Sequence, residues 1–225
     1  MKNDSAGKVI TAAVTGASGA VCARTLACLL DADPRVARVH LVITSSGMRV
    51  LSDELGLRAR DPREMPGALT GTSAAKFEAI LNTDIGASIA SGSYPVDAMV
   101  VLPCSVGTLG KIAGGLADDL VGRAADVCLK ENRKLVLCVR ETPLSRIHLE
   151  NMMRAQAAGA VIMPVVPAFY LGAASVDDLV TQYVCRVLEH LGLPQQQQRR
   201  WQGRASAKPA VPAVRPLELA PRRRR

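Results

Sequence analysis

KVITAAVTGASGAVCARTLACLL, residues 8 to 30, reads as a strand, a tight turn and a helix. Lys8 to Thr15 is a short run rich in β-branched and small apolar residues. Gly16-Ala17-Ser18-Gly19 supplies the turn, and Ala20 to Leu30 continues as a helix. A strand that empties through a glycine-rich turn into a helix is the opening of a β-α-β unit, so the question for the rest of the chain is whether the alternation continues.

It does. Arg38 to Ile43 (RVHLVI) reads as a second strand and Gly47 to Leu55 as a helix whose far end carries Glu54. Ala98 to Leu102 (AMVVL) and Leu135 to Val139 (LVLCV) are apolar runs of the kind buried on both faces of a sheet. Helices are predicted over Thr108 to Gly114, Leu120 to Lys130, His148 to Ala158 and Val176 to Leu191, with a further strand at Ala160 to Met163. Arg58 to Ser73, with Pro62, Pro66, Gly67 and Gly71, reads as a loop with little regular structure. Strands alternating with helices predict an α/β fold, a three-layer α/β/α Rossmann-like parallel sheet in a single domain over residues 1–194. Residues 195–225, rich in Gln, Arg, Ala and Pro, read as a basic, unstructured tail.

The net charge of +8 could suggest a nucleic-acid surface, but its distribution argues otherwise. The tail holds nine cations and one anion, Glu218, and so accounts for the whole +8. Residues 1–194 are neutral overall, and neither a nucleic-acid partner nor a membrane span is expected. Met1 to Lys8 lacks the pattern of a signal peptide, which makes a cytoplasmic location the expectation. The six cysteines include no CxxC pair and sit in apolar segments, as buried free thiols do. Three histidines without HxH or HxxxH spacing give no support for a metal centre.

In a parallel α/β sheet, ligands bind beyond the carboxyl ends of the strands. Those positions here are Gly16 to Ser18, Thr44 and Ser45, Cys104 to Thr108, Arg140 and Glu141, and Pro167 to Tyr170. The Gly16 turn can offer backbone N–H groups and a hydroxyl to an anion. It is only part of a dinucleotide fingerprint, because Cys22 takes the third glycine position and the second strand ends in Thr44 rather than an acid. Ser105-Val106-Gly107-Thr108 suits a mononucleotide or flavin edge equally with plain helix capping. Arg140-Glu141 directly after an apolar strand is costly to bury unless the two charges meet each other or a ligand. Lys130, Tyr170 and Arg186 are each unremarkable alone.

Cys104 to Thr108, Gly122 to Glu131 (GRAADVCLKE), Val139 to Leu144 (VRETPL), Ile147 to Met152 (IHLENM), Gly159 to Pro164 and Pro167 to Tyr170 together closely resemble the UbiX-type flavin prenyltransferases. The resemblance runs from about Val9 to Pro194 and is densest between Ala90 and Tyr170. It implies a flavodoxin-like fold in a homododecamer whose sites are completed by neighbouring subunits. It implies FMN, in its reduced form, as a substrate, and dimethylallyl monophosphate as the prenyl donor. The prenylated FMN would pass to a UbiD-type decarboxylase. By resemblance, the flavin ligands fall on Gly16, Ala17, Ser18, Thr44, Ser105, Val106, Gly107, Thr108 and Arg140. The donor-phosphate ligands fall on Arg123, Lys130, Tyr170 and Arg186, with Arg140 and Glu141 alongside. The implied catalytic group is Ser18, Glu54, Glu141, Lys130 and Tyr170, with no metal. Thr44 stands where a serine is common, and Ile85 where some relatives carry a large aromatic residue.

A prenyl monophosphate leaves without aspartate-held Mg²⁺ only if cationic side chains take the metal's part. Asp118-Asp119 has no second acidic cluster to pair with, whereas Arg123, Lys130 and Arg186 supply the cations. Two rivals remain at this level. A flavin-dependent cysteine decarboxylase of the same superfamily needs a histidine just after an early strand, and His40 lies within one. A non-catalytic FMN carrier or accessory subunit would have no use for the phosphate-release set.

Overall fold

A computed structural model describes residues 7–59 and 61–201. β1 (Lys8–Val14), β2 (Val36–Ile43), β3 (Phe77–Leu81), β4 (Ala98–Cys104), β5 (Lys134–Val139) and β6 (Val161–Ile162) form one all-parallel sheet in the order β3-β2-β1-β4-β5-β6. The chain winds outward from β1 in both directions, so the crossover lies between β1 and β4. Without the edge strand β3, the remaining order is the flavodoxin-like arrangement.

Alternation along the strands sorts the core into two halves. Val39 and Leu41 of β2, with Val100 and Leu102 of β4, face α1 (Ala20–Ala32), α2 (Ser45–Leu55), α3 (Met65–Thr70) and α7 (Val176–His190). Val42, Met99 and Val101 face α4 (Val106–Ala113) and α5 (Leu120–Lys130), and Ala155 of α6 (Arg146–Ala157) joins the same half-core. β4 is buried at every residue, as the middle of a doubly covered sheet must be.

Two elements depart from the sequence reading. Residues 58–73 are not a plain loop: Pro62–Glu64 form a 3-10 turn that leads into α3. Pro62 and Pro66 stand in first-turn positions where a missing N–H costs nothing, and Gly71 closes α3 in the left-handed conformation at φ 72°. Residues that look like breakers are boundary signals, and the burial of Met65 and Leu69 against the core holds the short helix. β3 was not anticipated at all. Its sequence FEAIL carries Glu78 as its second residue, and every position is exposed or half-buried, as suits an edge.

His40 is fully buried in β2, with Nε2 3.0 Å from the Tyr94 hydroxyl and Nδ1 3.2 Å from Glu78 Oε2. Burial holds its pKa below the usual imidazole value, with Arg38 adding to the effect and Glu78 opposing it. It ties β2 to β3 and to the segment before β4, at mid-strand and away from the strand ends.

Beyond Pro194 the chain makes no helix or strand through Trp201, yet residues 195–201 are tied to the domain. Gln195 donates to Asp33, Arg199 to Asp178 and Arg200 to Glu189. The rest of the tail lies outside the described residues.

Candidate functional site

The carboxyl ends of β1, β2 and β4 each empty directly into a helix, which brings the N-termini of α1, α2 and α4 to one edge of the sheet. None of the three has an acidic residue in its first turn. Their positive dipole ends are therefore not compensated from within, and the edge favours an anion.

Close contacts fix the turn geometry. A Cβ on Gly16 would stand 2.5 Å from the Ser46 side chain, and one on Gly47 would collide with the Val14 carbonyl. The β1 turn and the start of α2 approach so tightly that neither position tolerates a side chain. Thr44 caps α2, its hydroxyl accepting from Gly47 N at 3.0 Å and lying 3.2 Å from Ser46 Oγ. Ser105 caps α4 by accepting from Thr108 N at 3.2 Å. Between the two turns, the fully buried Thr15 donates its hydroxyl to Pro103 O and accepts from Ser105 N, both at 2.8 Å. Thr15 is absent from the residues expected of the site. Its signal was there, a hydroxyl immediately after an apolar strand, but only the β1/β4 pairing shows what it holds.

Glu54, at the end of α2, reaches across to α1. Its carboxylate accepts from Gly19 N at 3.0 Å and Ala20 N at 2.8 Å, and from the Ser18 hydroxyl. Partial burial alone would raise its pKa, but these hydrogen bonds and the charge of Arg140 outweigh it and hold the group below its ordinary value. Glu54 is thus an anion seated at the N-terminus of α1, where the sequence supplies no acid in the helix itself. Arg140 follows β5, with its backbone N–H on Cys104 O at 3.1 Å, and its side chain is exposed. Glu141 beside it is exposed and accepts from Thr142 N at 2.9 Å.

The structure therefore gathers Gly16, Ala17, Ser18, Thr44, Glu54, Ser105, Val106, Gly107, Thr108, Arg140 and Glu141 on one edge. It does not bring the other four to them. Lys130 ends α5 just before β5 begins, so the length of β5, about 17–20 Å, separates it from Arg140. Lys130 pairs with Glu131, and Arg123, about two turns earlier on the same helix, bonds Asp126 at 2.8 Å and Ala90 O at 3.0 Å. Arg186 lies on α7 on the opposite face, paired with Glu189. Tyr170 is in the 3-10 turn Phe169–Leu171 after edge strand β6, 66% exposed, with its ring edge-to-face on Trp201. The cations occupy both faces of the sheet, and no single protomer can converge them on one phosphate.

The family model for flavoproteins matches residues 1–188. A flavin prenyltransferase UbiX of Pseudomonas aeruginosa is 44% identical over 198 residues, covering 85% of this chain and 93% of the relative. The chain belongs to the UbiX flavin prenyltransferase family.

Two solved UbiX-family structures share the fold closely. AnUbiX (PadA1), crystallised in complex with FMN and dimethylallyl pyrophosphate, superposes with a TM-score of 0.77 at 40% identity, covering 88% of this chain and 98% of that one. A dodecameric FMN-dependent UbiX-like decarboxylase from Escherichia coli O157:H7 gives 0.76 at 44% identity, covering 87% and 100%.

The UbiX-family edge fits a flavin mononucleotide on its donor chemistry. The acid-free N-termini of α2 and α4 and Arg140 suit a phosphomonoester, and the hydroxyls of Ser18 and Ser105 suit polar ring and ribityl groups. Among the described residues, no group of three or more His, Cys, Asp or Glu side chains could hold a metal ion, and no helix is long and apolar enough to cross a membrane. The buried mid-strand place of His40 cannot serve the strand-end histidine of the decarboxylase reading.

Proposed function

We propose that this chain joins a dimethylallyl group from dimethylallyl monophosphate to N5 and C6 of reduced FMN, and hands the prenylated flavin to a UbiD-type decarboxylase in the cytoplasm. The observation that carries the reading is the division of the site. An anion-binding edge with Ser18, Glu54, Arg140 and Glu141 stands apart from the cations Arg123, Lys130 and Arg186, which are complete only when copies of the chain meet. Membership of a family that includes an FMN- and donor-bound structure and a dodecameric one supports the same assembly here. Apolar side chains exposed on and around α6, namely Leu144, Ile147, Leu149 and Met153, together with Val166 and Phe169, offer surface for such contacts.

FMN is the substrate in this reading. The turns at Gly16 to Ser18 and Ser105 to Thr108, with Thr44 and Arg140, orient it. Arg123, Lys130 and Arg186, with the Tyr170 hydroxyl, stabilise the phosphate as the allylic C–O bond breaks, the role that Mg²⁺ fills for diphosphates. Ser18 and Glu141 relay a proton between flavin N5 and the departing phosphate. Glu54, held ionised by Ser18 and Arg140, is suited to accept the proton lost from C6 on ring closure.

Anaerobic incubation of the chain with reduced FMN and dimethylallyl phosphate, read by the mass of the flavin, tests this. The flavin is expected to gain one dimethylallyl unit, and Glu141→Gln to abolish the gain while retaining FMN. An unchanged flavin with both ligands bound would sink the transferase reading in favour of a carrier.

A further inference from the structure

The segment after Pro194 lies against α7 in a ladder of alternating contacts, Gln197 and Arg199 meeting Gln182 and Asp178 while Gln198 and Arg200 meet Glu189. Gln195 Nε2 donates to Asp33 at 3.0 Å, Gln182 Nε2 to Gln197 O at 3.1 Å, and Arg199 N to Gln182 Oε1 at 2.7 Å. Arg199 NH1 then reaches Asp178 at 2.8 Å and the Leu171 carbonyl at 3.3 Å, and the Trp201 ring meets Tyr170 with centroids 5.8 Å apart at 89°. The ladder spans both donor-phosphate candidates that lie on this side of the sheet, Tyr170 and Arg186.

At Arg186 the contacts have an electrostatic logic. Glu189, one turn on, is the partner of Arg186 through Oε2. Alone, that pair would be neutral and Arg186 would hold an anion weakly. Gln198 also donates to Oε2, at 2.8 Å, and Arg200 takes the other oxygen, Oε1, at 2.7 Å. The cluster Arg186–Glu189–Arg200 carries a net single positive charge, with the carboxylate shared between two guanidinium groups. Arg186 is thereby oriented by Glu189 without being cancelled by it.

Building on the prenyltransferase reading, we propose that Gln198–Trp201 is a positioning strap of the donor-phosphate site, in which Arg200 acts through Glu189 to keep Arg186 available to the phosphate. Arg200 is a positioning residue in this scheme.

The test is steady-state prenylation by the full chain with dimethylallyl phosphate and reduced FMN, for Arg200→Ala, Arg200→Lys, Glu189→Gln and the Glu189→Gln/Arg200→Ala double variant. Arg63→Ala, which removes an exposed cation from the turn before α3, is the control for loss of charge as such. Arg200→Ala is expected to raise KM for dimethylallyl phosphate about three- to fivefold at low salt, with kcat and FMN affinity unchanged. The increase shrinks as ionic strength rises, lysine at 200 restores KM, and Arg200→Ala adds nothing once Glu189 is Gln. An unchanged KM, a loss confined to kcat, or an undiminished Arg200 effect in the Glu189→Gln background overturns the strap. Absence of prenylation by the unaltered chain removes the functional reading itself. Turnover that ignores Arg200 removes the strap alone.

Discussion

Thr15→Val deletes one hydroxyl at the β1/β4 crossover and preserves volume, so its effect can be worked out bond by bond. The Thr15 hydroxyl donates to Pro103 O and accepts from Ser105 N, each at 2.8 Å, in a fully buried position. Pro103 O is not stranded by the change, because Thr15 N also donates to it at 3.2 Å. Ser105 N has no such second partner. The expected cost is one unsatisfied donor plus one lost hydrogen bond, together about 2–3 kcal/mol. For a domain of this size, that lowers Tm by about 4–12 °C. Ser105 is also the cap of α4, so the turn Ser105 to Thr108 loosens and FMN affinity falls by roughly tenfold, equivalent to about 1.4 kcal/mol. Thermal unfolding and fluorescence titration with FMN measure the two effects. Thr15→Ser keeps the hydroxyl and should retain FMN binding, losing only the burial of a methyl, about 1 kcal/mol. A Thr15→Val protein that binds FMN like the unaltered chain would refute the assignment of Thr15 as the tie that sets the Ser105 turn.

Two other outcomes follow from the geometry. If Lys130 of one copy serves Glu141 of another, co-assembly of Lys130→Ala and Glu141→Gln chains, each inactive alone, restores about a quarter of the unaltered rate, the chance that a shared site receives both intact residues; no recovery would place both residues in one subunit's site. Asp33 has its pKa lowered to about 2 by the Arg35 side chain first, with the Arg35 N–H and Gln195 adding and burial opposing, whereas burial lowers that of His40. In both cases the unfolded chain binds the proton more readily. Stability should therefore fall as pH drops below about 6.5, from His40, and again from about 4 toward 2, from Asp33. Thermal unfolding against pH checks this, and Asp33→Asn should make the lower limb shallower, leaving the part that Glu54, also held below its ordinary value, contributes; a limb of unchanged steepness would acquit Asp33.

Where sequence reading failed, local cues had two meanings. Pro62, Pro66 and Gly71 mark either a loop or the ends of a short helix, and what decides is the burial of Met65 and Leu69 under α1. β3 was illegible because an edge strand needs no continuous apolar run, and its Glu78 has partners in Arg38 and His40 that only the β2/β3 register supplies. Residues 195–201 carry a composition that reads as unstructured, yet their glutamines and arginines find acceptors along α7. The strand-end positions fared better, since any ligand-facing residue in a parallel sheet must follow a strand, and those strands are apolar enough to be seen.

Sequence by itself determined the alternation of strand and helix, the location of the basic charge, and the hydroxyls and Arg140 at the strand ends, because these depend on local pattern and on the direction of the chain. Tertiary structure alone decided that three acid-free helix N-termini meet at the β1/β4 crossover, that Glu54 compensates α1 from another helix, and that Lys130 and Arg186 stand on opposite faces. Those facts depend on strand order and register, which bring together residues far apart in the chain and separate others that share a role.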